Sequence, residues 1–264
     1  MCIRDRFSTI WHTFFFDPIY NGLVYFINVV PNGDVGLAIV IMTIIVKLVL
    51  LPLSLKAART QRIMRTLEPK LKEIKERLKD KREELARATM AAYKGAGINP
   101  FANMLLLLTQ IPIIIALYLS VFSGGGVALP GINSDLLYSF IPTPETINVM
   151  FLGLIDITAK SLPLAILAGL TQFFQVRLSI PAPAPLDKNA KPDFKNDFAR
   201  NMQMQMRYVM PVIIFIVAYT ISAAIAVYFI IGNLVGIVQE YIVKKQATDK
   251  ETPGKEDQLT ISSA

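Results

Sequence analysis

One charged side chain, Lys47, lies inside an otherwise uncharged apolar run that covers residues 35–55. Placing a lysine ammonium in hydrocarbon costs at least about 2.5–3.5 kcal/mol on insertion scales, so intramembrane lysines usually serve a function. The sequence has no Asp or Glu in the core of another long apolar run. Two interpretations stay open. Lys47 snorkels to the lipid headgroups, or it faces a water-filled cavity between helices.

Other polar residues in the apolar runs favour the cavity. Thr43 lies four residues before Lys47, which places the two side chains on the same face of a helix. Polar residues within the other runs are Gln110, Thr171, Gln172, Gln175, Asn233 and Gln239. Each of them could instead form a hydrogen bond between helices, which is the commoner role of such residues. Together they predict that several helices contribute polar groups to one groove.

The composition is that of a membrane protein and gives little support for an enzyme. Of the 264 residues, 53% are apolar and 18% are charged, whereas soluble domains have about 45–50% and about 25%. One cysteine, Cys2, and one histidine, His12, disfavour thiolate metal clusters and most histidine-based catalysis. The chain has no Gly-Lys-Ser/Thr nucleotide-binding loop. We therefore expect no enzymatic activity, no cofactor, no metal and no bound nucleotide.

Four apolar runs predict five transmembrane helices. The runs cover residues 35–55, 101–122, 161–176 and 208–239. The last run has 32 residues, and as one helix it would be about 48 Å long, against a hydrocarbon core of about 30 Å. It therefore predicts two spans, with a turn at Tyr219–Ser222. The predicted fold class is an all-α, polytopic membrane helix bundle with five core transmembrane helices.

The distribution of charge between the runs predicts the orientation. Residues 56–100 contain 13 Lys and Arg against 6 Asp and Glu, and residues 177–207 contain six against three. Residues 123–160 contain one lysine and three acidic residues. Because basic loops stay in the cytoplasm, the first two of these loops are predicted to lie inside and the third outside. Five spans then place the N-terminus outside and the C-terminus in the cytoplasm.

Segment 7–30, before the first clear span, is aromatic but also contains Asp17, Pro18, Asn21 and Asn28. It could be an additional span or a helix in the outer membrane interface, where aromatic rings and polar groups are both accommodated. The interfacial helix is favoured because burying Asp17 in hydrocarbon would be costly.

The basic segment after the first span has helical periodicity. Its apolar residues Leu67, Leu71, Ile74 and Leu78 recur every three or four positions. With a break near Asp80-Lys81, it predicts a cytoplasmic antiparallel helical hairpin. The basic residues near its tip, which would form a docking surface for anionic lipid or RNA, are Arg77, Lys79, Lys81 and Arg82. A solvated hairpin without a partner is the alternative.

The predicted organisation has five parts. They are an N-terminal extracytoplasmic or interfacial segment, 1–33; a first core span, 34–56; the cytoplasmic hairpin, 57–98; the remaining four core spans, 99–243; and a cytoplasmic tail, 244–264. The tail has four lysines and four acidic residues. Because its net charge is zero, the hairpin is the better candidate for contact with a ribosome.

Five ordered stretches of this chain resemble the YidC/Oxa/Alb family of membrane protein insertases. They are Gly36–Leu53, which resembles the first core span; Tyr93–Tyr118, which resembles the junction into the second; Leu162–Thr171, which resembles the third; and Met210–Phe215 and Tyr228–Gln239, which resemble the last two. The resemblance runs from about Phe16 to Val243 and is to bacterial members without a large extracytoplasmic domain. Met1–Arg6 matches nothing in the family pattern.

The resemblance implies a protein of the bacterial inner membrane that inserts and folds client membrane proteins, alone or with the Sec translocon. It implies a hydrophilic groove that is open to the cytoplasm and to lipid, with a basic residue that attracts acidic translocated segments. On this basis the client-binding groove consists of Lys47, Thr43, Gln110, Thr171, Gln175, Tyr228 and Asn233. Implied partners are nascent membrane proteins and membrane lipids, with the Sec translocon and the ribosome as further candidates.

One departure from the family pattern concerns the groove, because Lys47 stands where the family usually has arginine. Lysine keeps the charge but lacks the planar fork of donors that a guanidinium offers. The alternative class of protein is a small secondary transporter or channel with an anion-attracting groove. Transporters usually have paired repeats with broken helices at matching positions, and the sequence has no such repeat.

Overall fold

The computed structural model describes residues 3–78, 81–97, 102–123, 126–179 and 204–251. Helices make up most of these residues, so the predicted all-α class is confirmed. The chain divides into two compact units. One consists of Met1–Leu48 and Ile111–Val238, and the other of Val49–Gln110 and Gln239–Ala264.

Ten α-helices are described. In chain order they are α1 (Ile3–Trp11), α2 (Asp17–Val29), α3 (Val35–Val49), α4 (Leu51–Thr66), α5 (Glu68–Arg77), α6 (Arg82–Gly95), α7 (Ala102–Phe122), α8 (Leu162–Ser179), α9 (Met210–Ile221) and α10 (Ala223–Glu251). Two π-helical turns, His12–Phe16 and Gln205–Val209, lead into α2 and α9. The short strands β1 (Met150–Phe151) and β2 (Ile155–Asp156) pair antiparallel.

The first predicted span, 35–55, is not one continuous helix. α3 ends at Val49 and α4 begins at Leu51. Pro52 explains the interruption, because it cannot donate the helical hydrogen bond and its ring crowds the carbonyl four residues earlier. The run 35–55 therefore contains two helices, and the first core span at 34–56 stays a prediction.

Two described helices, Leu162–Ser179 and Ala223–Lys245, are long and apolar enough to cross a membrane by themselves. The broken pair α3 and α4 makes a third if it counts as one span. Shorter apolar helices cover Leu108–Phe122 and Arg207–Ile221. Helices thus lie on every predicted run, while the total of five spans stays a prediction.

The turn predicted within 208–239 lies at Ser222, where the backbone is extended with φ −171° and ψ 168°. The amides of the two following residues, Ala223 and Ala224, donate to the carbonyls of Ala159 and Ile157, at 2.8 Å and 2.9 Å. These bonds join the start of α10 to the connection that precedes α8.

The connection between α7 and α8 is also held by side chains of α2. The side-chain amide of Asn21 donates to the carbonyl of Leu136 at 2.9 Å, and its oxygen accepts from the amide of Tyr138 at 2.7 Å. Asn28 donates to the carbonyl of Pro142 at 2.8 Å. Two of the polar residues of segment 7–30, Asn21 and Asn28, therefore fasten this connection.

Asp34 joins the start of α3 to the β-turn between β1 and β2. Its carboxylate accepts from the amide of Leu37, at 3.0 Å, and from the amide of Leu152, at 2.7 Å. A carboxylate at a helix N-terminus caps the free amides and complements the helix dipole. The ring of Phe151 lies directly on Gly36 and leaves no room for a Cβ at this position.

Small residues line the contact among α8, α9 and α10. The fully buried members are Ala165, Ala168, Ala218 and Ala226, with Ile230 beside them. A Cβ added at Gly169 would come within 3.1 Å of the Cβ of Phe215. In membrane helix bundles such small residues let backbones approach closely, and the association is then driven by packing. This contact, the alanine interface, is one of the hydrophobic clusters of the first unit.

In the second unit, α5 contacts α6. Ile74 of α5 is buried. The guanidinium of Arg62 donates to the carbonyl of Val243 at 3.0 Å, which links α4 to the end of α10. The predicted break at Asp80-Lys81 falls between the two helices, and residues 79 and 80 lie outside the described residues. The antiparallel hairpin stays a prediction.

Candidate functional site

Three residues spaced four apart on α10, Tyr228, Gly232 and Gly236, face polar side chains of α3 and α8. A spacing of four places them on one side of the helix. The two glycines have no side chains, which allows groups from other helices to lie directly on the backbone of α10. We call this surface the glycine face.

Lys47 of α3 lies on the glycine face. A Cβ added at Gly232 would be 3.1 Å from Cε of Lys47 and 3.5 Å from its Nζ. The lysine side chain is half-buried. The aliphatic stem and the ammonium therefore run along the backbone of α10.

Gln175 of α8 lies one turn further along the same face. A Cβ at Gly236 would be 3.0 Å from its Nε2 and 3.2 Å from its Cγ. Gln172, one helical turn earlier on α8, donates to Oε1 of Gln175 at 3.4 Å. The glycine face thus has a cation from α3 at one position and an amide from α8 at the next.

Asn233 and Thr171 join α10 to α8. The side-chain amide of Asn233 donates to Oγ1 of Thr171 at 3.2 Å and to the carbonyl of Ala168 at 3.4 Å. Thr171 in turn donates to the carbonyl of Leu167 at 2.9 Å. Both side chains are buried. For this pair the structure has the hydrogen bond between helices that the sequence left open as an alternative.

Thr43 and Tyr228 border a small pocket of about 10 Å³. Thr43 donates to the carbonyl of Ile39 at 2.7 Å, so its hydroxyl is used within its own helix. The remaining lining residues are Ile19, Met42, Val46, Ile113 and Leu117. The lining is predominantly apolar, with the phenol and the hydroxyl as its polar groups.

Gln110, the remaining predicted groove residue, belongs to the second compact unit. It is half-buried on α7, just before Ile111 and two residues before Pro112. Its membership of the groove therefore stays a prediction.

Three of the predicted docking residues lie where α5 ends and α6 begins. Arg77 is exposed at the end of α5, and Lys81 is exposed just before α6. Lys81 forms a 2.9 Å ion pair with Glu84, an exposed pair of a kind worth about 0–1 kcal/mol. Arg82 is the first residue of α6, and Lys79 lies outside the described residues.

Sequence reasoning missed the two glycines. The stretch Gly232-Asn233-Leu234-Val235-Gly236 has the small-xxx-small spacing that marks close approach in membrane helices. This spacing was the available signal. It also missed Arg207, a buried arginine in the middle of the π-helical turn that leads into α9.

An apolar helical bundle packed through small residues, with a lysine and a glutamine lying on an inner helix face, defines a polytopic α-helical membrane protein. The family model for the 60Kd inner membrane protein matches residues 26–251 of the chain.

Relatives agree with this match. The chain is 30% identical to membrane protein insertase YidC 1 of Halalkalibacterium halodurans over 264 residues, covering 96% of this chain and 89% of that protein. It is 33% identical to membrane protein insertase YidC of Clostridium tetani over 215 residues, covering 81% and 84%. The chain therefore belongs to the YidC/Oxa/Alb family of membrane insertases. Its YidC members are bacterial inner-membrane proteins, and the names of the matching relatives describe an insertase and no catalytic activity.

Proposed function

We propose that this chain inserts client membrane proteins through a hydrophilic groove formed around the glycine face and opened to the cytoplasm and to lipid. The observation that carries the proposal is the position of Lys47 against Gly232. A half-buried ammonium on the backbone of α10 offers a positive charge to an acidic segment of a client. Gln175 extends the polar surface by one helical turn.

The proposed mechanism is electrostatic attraction followed by partition into lipid. Two unit charges 4 Å apart attract by about 1 kcal/mol in water but by about 4 kcal/mol at the effective dielectric constant near a protein surface. The ammonium of Lys47 therefore favours short translocated segments that contain Asp or Glu. The apolar helix of the client then leaves the groove toward the acyl chains, where burial of its surface makes insertion favourable.

The proposal assigns further roles to the rest of the chain. The N-terminus lies outside and the C-terminus in the cytoplasm, in agreement with the charge distribution between the runs. The exposed basic residues between α5 and α6, with Lys79, dock anionic lipid or a ribosome, and the protein also assists folding of clients alone or beside the Sec translocon. Thr43, Gln110, Thr171, Tyr228 and Asn233 complete the groove or hold its helices together.

The test uses cells depleted of their own insertase and two matched clients, one with an acidic and one with a neutral translocated tail. We expect Lys47→Arg to support insertion of both clients, and Lys47→Glu to impair insertion of the acidic client selectively. Lys56→Glu serves as a matched control, because Lys56 is an exposed lysine outside the glycine face. Equal insertion of the acidic client by the unmodified protein and by Lys47→Glu would disprove the electrostatic role.

A further inference from the structure

Arg207 is a buried cation that lies outside the glycine face. It is 9% exposed, and its Nε and Nη1 atoms are buried without a hydrogen-bond partner among the described residues. A guanidinium stays protonated in proteins and has five N–H donors. A buried charge without hydrogen bonds is strongly unfavourable, so proteins normally pair such groups or bind a ligand with them.

The neighbours of Arg207 place it at the end of the apolar bundle. It is the last charged residue before the uncharged run 208–239. The following residue, Tyr208, is 55% exposed, and its ring centre lies 6.4 Å from that of Phe173 on α8. Tyrosine is enriched where hydrocarbon meets headgroups, because its ring is apolar and its hydroxyl is polar. The end of an apolar run, next to an exposed tyrosine, is where a residue at headgroup depth is expected.

The backbone around Arg207 forms a π-helical turn that packs near α8. Arg207 is the central residue of the π-helical turn Gln205–Val209, and π-turns occur often at functional sites. Four residues after Arg207, the start of α9 packs closely against α8. A Cβ at Gly169 of α8 would lie 3.3 Å from the carbonyl oxygen of Pro211. The guanidinium is thus carried by a segment whose position is set by two packed helices.

We propose that Arg207 binds the phosphodiester group of an anionic phospholipid at the junction of α8 and α9. A phosphate has several acceptor oxygens for the unfilled Nε and Nη1 donors, and arginine–phosphate bonds are among the stronger charge-assisted hydrogen bonds. Basic pockets between membrane helices are a known form of headgroup site. The proposal does not depend on insertase activity, because the lipid binds the resting protein.

Arg177 provides a matched control on the same side of the bundle. It is the first charged residue after the apolar run 161–176 and lies in the last turn of α8, close in sequence to Phe173. Unlike Arg207, it is exposed. An exposed guanidinium is hydrated and gains little from a specific phosphate, so we expect the two arginines to differ in lipid binding although both are near the headgroups.

The experiment measures retained lipid and thermal stability of the purified full chain in a neutral detergent. Phosphatidylglycerol or phosphatidylcholine is added, excess lipid is removed, and bound lipid is counted by native mass spectrometry. We expect the unmodified protein to retain phosphatidylglycerol at least about tenfold better than phosphatidylcholine. Arg207→Gln should lower phosphatidylglycerol retention to the phosphatidylcholine level, whereas Arg177→Gln should behave as the unmodified protein does.

Thermal unfolding separates loss of the site from loss of the fold. Without lipid, Arg207→Gln should unfold at the same or a higher temperature, because the unfilled buried charge is removed. Added phosphatidylglycerol should raise the unfolding temperature of the unmodified protein and of Arg177→Gln but not of Arg207→Gln. Arg207→Lys, which keeps charge without the planar fork, should show an intermediate shift.

Three outcomes would overturn the proposal. One is equal phosphatidylglycerol retention by Arg207→Gln and the unmodified protein. Another is an equal loss in Arg177→Gln, which would indicate general surface attraction. The third is an equal thermal shift from free glycerol phosphate, or from a short acidic peptide, because the site would then take a soluble phosphate or a client carboxylate and not a lipid.

Discussion

Two sides of α10 use small residues for opposite purposes. On the alanine interface, Ala226 and Ile230 pack against buried alanines of α8 and α9. On the glycine face, Gly232 and Gly236 lie against the ends of Lys47 and Gln175. On the alanine interface, methyl groups fill the contact. On the glycine face, the glycines have no side chains, and the ends of flexible polar side chains occupy that space. A small residue in a membrane helix can therefore either seal an interface or make room for a polar group.

Asn233 stands between these two sides. It is part of the sequence motif that contains both glycines, yet its amide bonds to Thr171 and to the backbone of α8. The bond holds α8 at the distance from α10 at which Gln175 meets Gly236. The polar surface thus depends on the closed interface beside it, and substitutions on the two sides should have different consequences.

The largest expected effect is on stability, from overpacking the alanine interface. Ala168 is fully buried, and Ala168→Leu adds three carbon atoms where no space exists. Such changes cost typically about 1–3 kcal/mol, so the unfolding temperature in detergent should fall clearly. Leu167→Ile, at an exposed neighbour, is the control and should leave it unchanged. A stable Ala168→Leu protein would contradict the close packing described for this interface.

The next effect is on insertion, from filling the glycine face. Gly232→Leu would displace Lys47, because even a Cβ would lie 3.1 Å from its Cε. We expect insertion of an acidic-tailed client to fall about tenfold, equivalent to about 1.4 kcal/mol, while the unfolding temperature changes little. Leu234→Ala, at an exposed position two residues further along α10, is the control. Undiminished insertion by Gly232→Leu would mean that the glycine face does not bind clients.

A smaller effect is expected from the bond between α10 and α8. Asn233→Ala removes the donor to Thr171, and interhelical hydrogen bonds in membrane proteins contribute about 0.6 kcal/mol on average. A double-mutant cycle with Thr171→Val in a detergent unfolding assay measures the coupling directly. Strictly additive effects of the two substitutions would mean that this hydrogen bond does not couple the helices.

The smallest effect lies outside the spans, at β2. The Thr158 side-chain hydroxyl donates to Oδ1 of Asp156 at 2.7 Å and so lowers the pKa of that carboxyl. A lowered folded-state pKa contributes stability above the unfolded value of about 3.9, and this contribution is lost as pH falls through the folded value. Asp156→Asn should weaken that acid dependence of the β1–β2 turn, as measured by hydrogen exchange of its amides between pH 7 and pH 3. Identical acid dependence in both proteins would exclude this carboxyl as its source.

The positions of the helices could be predicted well from the sequence, because long uncharged runs have few alternatives in a membrane. The interruption at Ser222 lies inside the predicted turn Tyr219–Ser222. The break at Leu50 was missed although Pro52 was visible, because the run was judged by its length and charge alone. A proline rule applied at that position would have found it.

The candidate site could be predicted only in part. Lys47 stood out because a charge in an apolar run is costly wherever the helices pack. The partners of the polar residues could not be predicted, since Thr171 and Asn233 are 62 positions apart and meet only when α8 packs against α10. Arg207 was overlooked because it follows a basic stretch, where one further arginine carries no sequence signal.

The sequence by itself determined the all-α class, the membrane setting and the exceptional position of Lys47, because these follow from local hydropathy and charge. Only the tertiary structure decided which apolar residues face the bundle. Ala165 and Ala168 are buried while Ile166, Leu167 and Leu170 are exposed. In water, burial separates apolar from polar residues, but lipid and protein interior are equally apolar, so the sequence carries little pattern that tells them apart. Packing of small residues makes that choice, and it thereby places Lys47 against the turn of α10 where Gly232 has no side chain.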